Sequence, residues 1–153
     1  MRSRFVTPLL AALALLVLPA AAIAQAPALA WGPAPAVFPA GAKMAVLQGD
    51  PSKAEVYAVR LDMPSGYKIP PHFHPTDEHV TVISGTFLVG MGDSLDAAHT
   101  TALPAGAFIT AGANVHHYAI ARGRTVVQVH GIGPFALTYV HPQDQARSGA
   151  GSR

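Results

Sequence analysis

The chain contains no cysteine. That excludes disulfide staples, thiol nucleophiles, thiolate-held metals and anchoring through a lipidated cysteine. Charged residues make up only 12% and aromatic residues 7% of the sequence. No cluster of lysine and arginine is present to serve a nucleic-acid backbone or an anionic membrane surface. Beyond the first two dozen residues, no window carries a sustained helical period with capping residues. Chemistry in such a chain must come from histidine, aspartate, glutamate, tyrosine or a bound ion.

The long apolar run that the chain does have lies at its start. Arg2 and Arg4 precede Leu9–Leu18, and Ala22-Ile23-Ala24 before Gln25 fits a small-residue cleavage site. A membrane anchor needs about 20 apolar residues, and Pro8 and Pro19 bracket this run too closely. Residues 1–24 are therefore expected to be a signal peptide, with the mature protein periplasmic or secreted and not held by a membrane after cleavage. Removing Arg2 and Arg4 turns ten basic residues against eight acidic ones into eight against eight. The mature chain is then near neutral, keeps all eight histidines, and at 129 residues (153 less 24) is one domain.

Residues 25–42 are rich in alanine and proline and read as an extended arm along a sheet edge, with Trp31, Val37 and Phe38 as its anchors. Short strands follow: Met44–Gln48, Glu55–Asp62, His79–Ser84, Thr86–Met91, Thr100–Leu103, Phe108–Thr110, His117–Ala121, Thr125–Ile132 and Phe135–Val140. Glycine, proline and aspartate punctuate them, as in Ser84-Gly85 and Pro104-Ala105-Gly106. Many short strands in one small domain predict an all-β sandwich or barrel over residues 43–141. The small, polar residues 142–153 read as a flexible tail.

One stretch concentrates potential metal ligands: Gly66, His72, His74, Glu78 and Gly85 fall within twenty residues. In extended backbone His72 and His74 share a face, with Cα atoms roughly 6.5 Å apart. Glu78 keeps the same parity, but Pro75 and Asp77 bend the chain between them, and only a fold-back of that bend brings its carboxylate to the two rings. A further ligand must come from another strand, and His99, His116, His117, His130 and His141 are the candidates.

The spacing Gly66-x5-His72-x-His74-x3-Glu78-x6-Gly85 resembles the first signature of the cupin superfamily at every position. The second signature is recovered in part. Gly106 and His117 are in register, while Gly112 stands where proline is usual, Asn114 where glycine is usual and Ala121 where asparagine is usual. The chain also looks like small exported bacterial cupins of one barrel per chain, a likeness covering roughly residues 37–140. The resemblance implies a double-sheet, jelly-roll type cupin β-barrel of six to eleven strands. It also implies one divalent transition metal inside, held by His72, His74, Glu78 and His117. Three imidazoles and a carboxylate suit Fe, Mn, Ni, Cu or Zn and leave positions open for a small-molecule substrate.

With His117 as a ligand, His116 and Tyr118 point away from the ion. His130 shares parity with Gln128; if that face looks inward, both are polar groups near the metal, able to position substrate or move a proton. His79 is expected outside, and His99 and His141 at the surface. Tyr57, Tyr67, Phe73, Phe87, Met91 and Phe108 are candidates to line a cavity. Tyr118 and Ile120 beside Val127 and Val129 would form an apolar outer patch, which predicts a homodimer. The expected function is a metal-dependent small-molecule enzyme, oxidoreductase or dioxygenase-like; the alternatives are a non-catalytic module that binds a metal or small ligand, and a protein whose ion only braces the barrel.

Overall fold

The computed structural model describes residues 28–149. The expected signal peptide, the first residues of the arm and the last four residues of the chain lie outside the described residues. Among those described, the strands are β1 (Gly32–Pro33), β2 (Lys43–Gln48), β3 (Val56–Met63), β4 (Lys68–Phe73), β5 (Glu78–Met91), β6 (Thr101–Pro104), β7 (Phe108–Ala111), β8 (His117–Ile132) and β9 (Thr138–Tyr139). One helix, α1 (Pro142–Gly149), follows them. No described helix is long and apolar enough to cross a membrane.

Two long strands organise the sheet. β5 and β8 pair antiparallel along nearly their whole lengths, from His79 opposite His130 to Met91 opposite His117. On the other side of β8, β3 pairs with the segment 125–132 and β4 with the segment 117–120. β6 and β7 pair with the two halves of β5, while β1 and β2 extend the sheet from β3. All of these pairings are antiparallel, and the curled sheet closes into a β-barrel.

The curl is set where the long strands kink. Gly85 takes φ +79°, and a Cβ there would lie 2.4 Å from the Arg124 carbonyl oxygen, so only glycine lets the strands approach this closely. The pairing register shifts just before it, between Val82 and Ser84, and again across it, between Ser84 and Thr86. The sequence pattern predicts one strand ending at Ser84 and another beginning at Thr86, and likewise separate strands 117–121 and 125–132. In the structure each pair is one strand, because a β-bulge bends the ladder without ending it.

β4 is a strand that the reading omitted. Pro70 and Pro71 lack the ladder's N–H, and they fall at the pairing irregularity between Ile69 and His72. The expected strand 135–140 shrinks to β9. The tail read as flexible instead begins with α1, whose proline sits at the helix start and whose Asp144 lies in the first turn, both suited to a helix N-terminus.

Alternation decides what fills the barrel. Tyr57, Val59, Leu61 and Met63 of β3 pack against Val80 and Val82 of β5 and Val127 and Val129 of β8. The arm lies along the sheet edge through β1, and Phe38 is buried as expected, but Trp31 is 39% exposed.

Candidate metal centre

β4 delivers His72 and, one residue past its end, His74; β5 begins with Glu78 and β8 with His117. His72 and His117 are direct cross-strand partners, their rings 4.3 Å apart between centroids. His74 lies 5.0 Å from the His72 ring and 5.3 Å from that of His117. The bend through Pro75 and Asp77 does return Glu78 to the rings: its Oε2 is 3.5 Å from His74 Nε2 and 3.6 Å from His117 Nε2.

Two hydrogen bonds hold that bend. The Asp77 carboxylate accepts from the Ala113 N–H at 2.8 Å, and the Asn114 N–H donates to the His74 carbonyl at 2.8 Å. Asn114 itself has φ 61°. Asparagine tolerates this left-handed conformation better than most residues, so the turn survives where glycine is usual.

Each histidine is fixed by the same device. His72 Nδ1 bonds the Pro70 carbonyl at 2.7 Å, His74 Nδ1 the Ala136 carbonyl at 2.7 Å, and His117 Nδ1 the Val115 carbonyl at 3.0 Å. A carbonyl only accepts, so Nδ1 carries the proton and the Nε2 lone pair is left free. The Nε2 atoms of His74 and His117 are buried and have no hydrogen-bond partner. A buried polar atom left unpaired costs about 1–3 kcal/mol. Ligand atoms of the three histidines lie within 4.8 Å of one another, so the group can hold a metal ion. Free lone pairs on fixed, buried imidazoles beside a carboxylate are the donor set that a divalent transition metal needs.

The electrostatics of His72 and Glu78 agree with this donor set. Burial, reinforced by His117 and His74, pushes His72 down to about 3, so its ring is neutral and available as a ligand. Burial alone would raise the Glu78 carboxyl; the surrounding imidazoles of His117, His74 and His72 outweigh it and hold the group below its ordinary value. Burial disfavours a charged His117, yet the adjacent Glu78 and the Val115 carbonyl raise it above its usual range.

His72 and Glu78 also line a cavity of about 290 Å³ inside the barrel. Its walls are largely apolar and include Phe135, stacked on Phe38 at 5.9 Å and edge-on to Tyr57 at 6.1 Å. Burial, with a smaller contribution from the Glu78 charge, pushes the Tyr57 phenol up to about 12. Of the six residues proposed for a lining, only Tyr57 belongs to it. Phe73 stacks on His116, Met91 and Phe108 are exposed, and Tyr67 and Phe87 are core. Phe38, expected only as an arm anchor, and Phe135, expected to open a strand, both line the cavity from irregular segments, since that strand begins only at Thr138.

His130 and Gln128 are not near this centre. Val127 and Val129 point into the barrel, so the alternate residues Gln128 and His130 lie on its outer face. His117 and Val127 are ten residues apart and share a parity, which also removes the predicted outer patch. Val127 and Val129 face the core, and Tyr118, covered by the loop whose Asp96 carbonyl accepts its hydroxyl proton, is buried together with Ile120. His79 is outside as expected, its ring 5.0 Å from His130 and stacked on Phe108. His116 bonds Asp93, His99 bonds Asp96, and His141 bonds the Asp93 carbonyl, all at the surface.

A family profile described as cupin domain matches residues 59–133, which span β3 through β8 and all four candidate ligands. No curated protein matches the sequence. Among solved structures, the chain is similar to an acetylacetone dioxygenase candidate from Methylibium petroleiphilum PM1, at 20% identity and a TM-score of 0.59, covering 82% of this chain and 90% of that one. It is similar to a cupin superfamily protein from Desulfitobacterium hafniense DCB-2, at 12% identity and a TM-score of 0.51, over 60% of this chain and 77% of the other. An oxalate oxidase aligns at 23% identity and a TM-score of 0.52, over 69% of this chain and 58% of its own. Identities this low speak for a shared fold, and together with the profile match and the closed barrel they establish that the chain belongs to the cupin superfamily.

Proposed function

We propose that this cupin is an exported, metal-dependent enzyme acting on a small molecule, an oxidoreductase of the dioxygenase kind, held in the periplasm or secreted. One observation carries the reading: three imidazoles whose Nδ1 bonds leave their Nε2 lone pairs free gather beside Glu78, and His72 and Glu78 open onto an apolar cavity. His72, His74, Glu78 and His117 would hold one divalent ion of Fe, Mn, Ni, Cu or Zn. Such an ion supplies Lewis-acid polarisation of a bound oxygen and, where redox-active, electron transfer. The protein's own part is orientation and exclusion of water. The carbonyl bonds at Nδ1 fix the three rings, Glu78 contributes the negative charge, and Phe38, Phe135 and Tyr57 shape the space in which a substrate sits. The folds of an acetylacetone dioxygenase candidate and an oxalate oxidase are compatible with oxygen chemistry on this scaffold.

The second reading is a module that binds a metal or small ligand without turnover. It is favoured by the absence of His130 and Gln128 from the cavity, which leaves Glu78 and the distant, exposed Asp50 as its carboxylates. Metal-replete protein screened against phenols, diketones and small carbonyl compounds decides between them. Turnover that Glu78→Ala lacks supports the enzyme, and equilibrium binding without chemical change supports the module. A homodimer is part of the proposal. Its support is the exposure of Val56, Phe108 and Ile132 (58%, 56% and 60%) around the outer His79–His130 pair. A sedimentation mass of one chain at micromolar concentration would contradict it.

A further inference from the structure

We infer that the cavity selects a ligand with an aromatic or branched-alkyl body and a two-oxygen head that is singly ionised at most, and that it discriminates against dicarboxylates. The inference rests on the metal reading above and adds to it the charge and shape of the substrate.

Among the described residues, no lysine or arginine lines the cavity. Arg60, on a strand that forms its wall, alternates with Val59 and Leu61 and so lies on the opposite face. Lys53 sits outside the lining and is spent on Asp50, at 3.2 Å with most of its side chain in water. The ionisable groups that do line the space include two carboxylates, Glu78 at the metal centre and the exposed Asp50, the latter fixed by the Ser52 N–H and hydroxyl at 2.9 and 2.7 Å. Neither can neutralise an anion.

Charge counting then sets the head group. Imidazoles ligate in the neutral form, so a divalent ion with one carboxylate leaves a single net positive charge. A head that loses one proton on binding brings the centre to neutrality. A dianion such as oxalate leaves a net negative charge in an apolar cavity with no counter-cation, which is unfavourable without a pairing group. The body follows from the walls. Phe38 and Phe135 stack nearly parallel, 12° between planes, and Val59, Leu61, Ile69 and Leu137 complete an apolar surface with Tyr57 as its uncharged donor. The volume, about 290 Å³, is at the small end of ligand sites, which span roughly 300–1,000 Å³. Heads of the 1,3-dicarbonyl, hydroxyketone or catechol type on a one-ring body meet these conditions.

The test is calorimetric binding to the zinc-loaded chain, with zinc content checked before and after each titration, so that no turnover is needed. The probes are benzohydroxamate, acetohydroxamate and oxalate, all two-oxygen chelators. Benzohydroxamate is expected to bind at least ten-fold more tightly than oxalate, and about ten-fold more tightly than acetohydroxamate because its ring is buried. Asp50→Asn is expected to improve oxalate binding several-fold while leaving benzohydroxamate within two-fold. Oxalate binding as tightly as benzohydroxamate, or zinc-loaded protein binding neither, overturns the inference while the metal reading stands. Failure to hold zinc at all removes both.

Discussion

Gly90→Ala puts one methyl group where the barrel has no room. Gly90 and Tyr118 are direct partners in the β5–β8 ladder. A Cβ on Gly90 would sit 2.1 Å from Tyr118 Cζ, 2.3 Å from its hydroxyl oxygen and 2.4 Å from Cε2, where ordinary contact begins near 3.4 Å. The ring must therefore move on the order of 1 Å, and it has little freedom to do so, being 1% exposed with its hydroxyl donating to the Asp96 carbonyl at 2.9 Å. Overpacking of this kind costs about 1–3 kcal/mol and the lost hydrogen bond about 1 kcal/mol, giving roughly 2–4 kcal/mol in all. With a mid-range urea slope of about 2 kcal/mol/M, the unfolding midpoint should fall by about 1–2 M. His117 immediately precedes the displaced Tyr118 in β8 and lies on the opposite face, so zinc affinity should fall as well. Tyr118→Leu removes the obstruction, and the double variant should lose at least about 1 kcal/mol less than the sum of the single ones. Stability within about 0.5 kcal/mol of wild type for Gly90→Ala, or strict additivity in the pair, would refute the packing argument.

Two further predictions concern the frame around the site. Gly85 and Gly66 both have φ +79°, but a Cβ at Gly85 meets the Arg124 carbonyl at 2.4 Å whereas at Gly66 nothing lies within 4 Å. Gly85→Ala should therefore cost roughly 2–4 kcal/mol and Gly66→Ala only the left-handed penalty of about 1–2 kcal/mol, both read from urea unfolding. Arg124 makes two bonds to Asp62, Nε to Oδ1 at 2.9 Å and Nη2 to Oδ2 at 2.6 Å, and these hold the Asp62 carboxyl below its ordinary value. A depressed carboxyl stabilises the fold above the unfolded value of about 3.9 and loses that contribution as pH falls through the folded value. Arg124→Ala should accordingly be less stable than wild type at neutral pH, and the gap should close on acidification below about pH 4 when both proteins are unfolded in urea. A gap independent of pH would separate this pair from any ionic role.

How far the site could be read from residues alone depended on the physics of each segment. Regular alternation places His72 and His74 on one face, because a strand repeats every two residues whatever surrounds it, whereas Glu78 and His117 join them only through the resemblance to the cupin signatures. The return of Glu78 was hidden, since it depends on Asp77 and Asn114 bonding across 36 and 40 residues of sequence. Gly85 and Gly123 looked like turns because a positive-φ glycine has the same local signature whether the chain reverses or merely kinks. β4 was masked by two prolines that an irregular ladder tolerates. The outward placement of His130 and Gln128 follows from parity with His117 only once 117–132 is one strand, a continuity that the apparent break at 122–124 conceals. The cavity wall was the least legible part, for Phe38 and Phe135 owe their places to tertiary packing with no period to announce them.

Whether His72, His74, Glu78 and His117 hold an ion is tested most directly by elemental analysis of the chain purified without chelators or affinity metals. A ratio near one divalent transition metal per chain, lost in the His74→Ala/His117→Ala double variant that removes the two orphaned Nε2 atoms, is the expected result. Wild-type protein that holds no metal, even after reconstitution with iron, manganese, nickel, copper and zinc in turn, would contradict it.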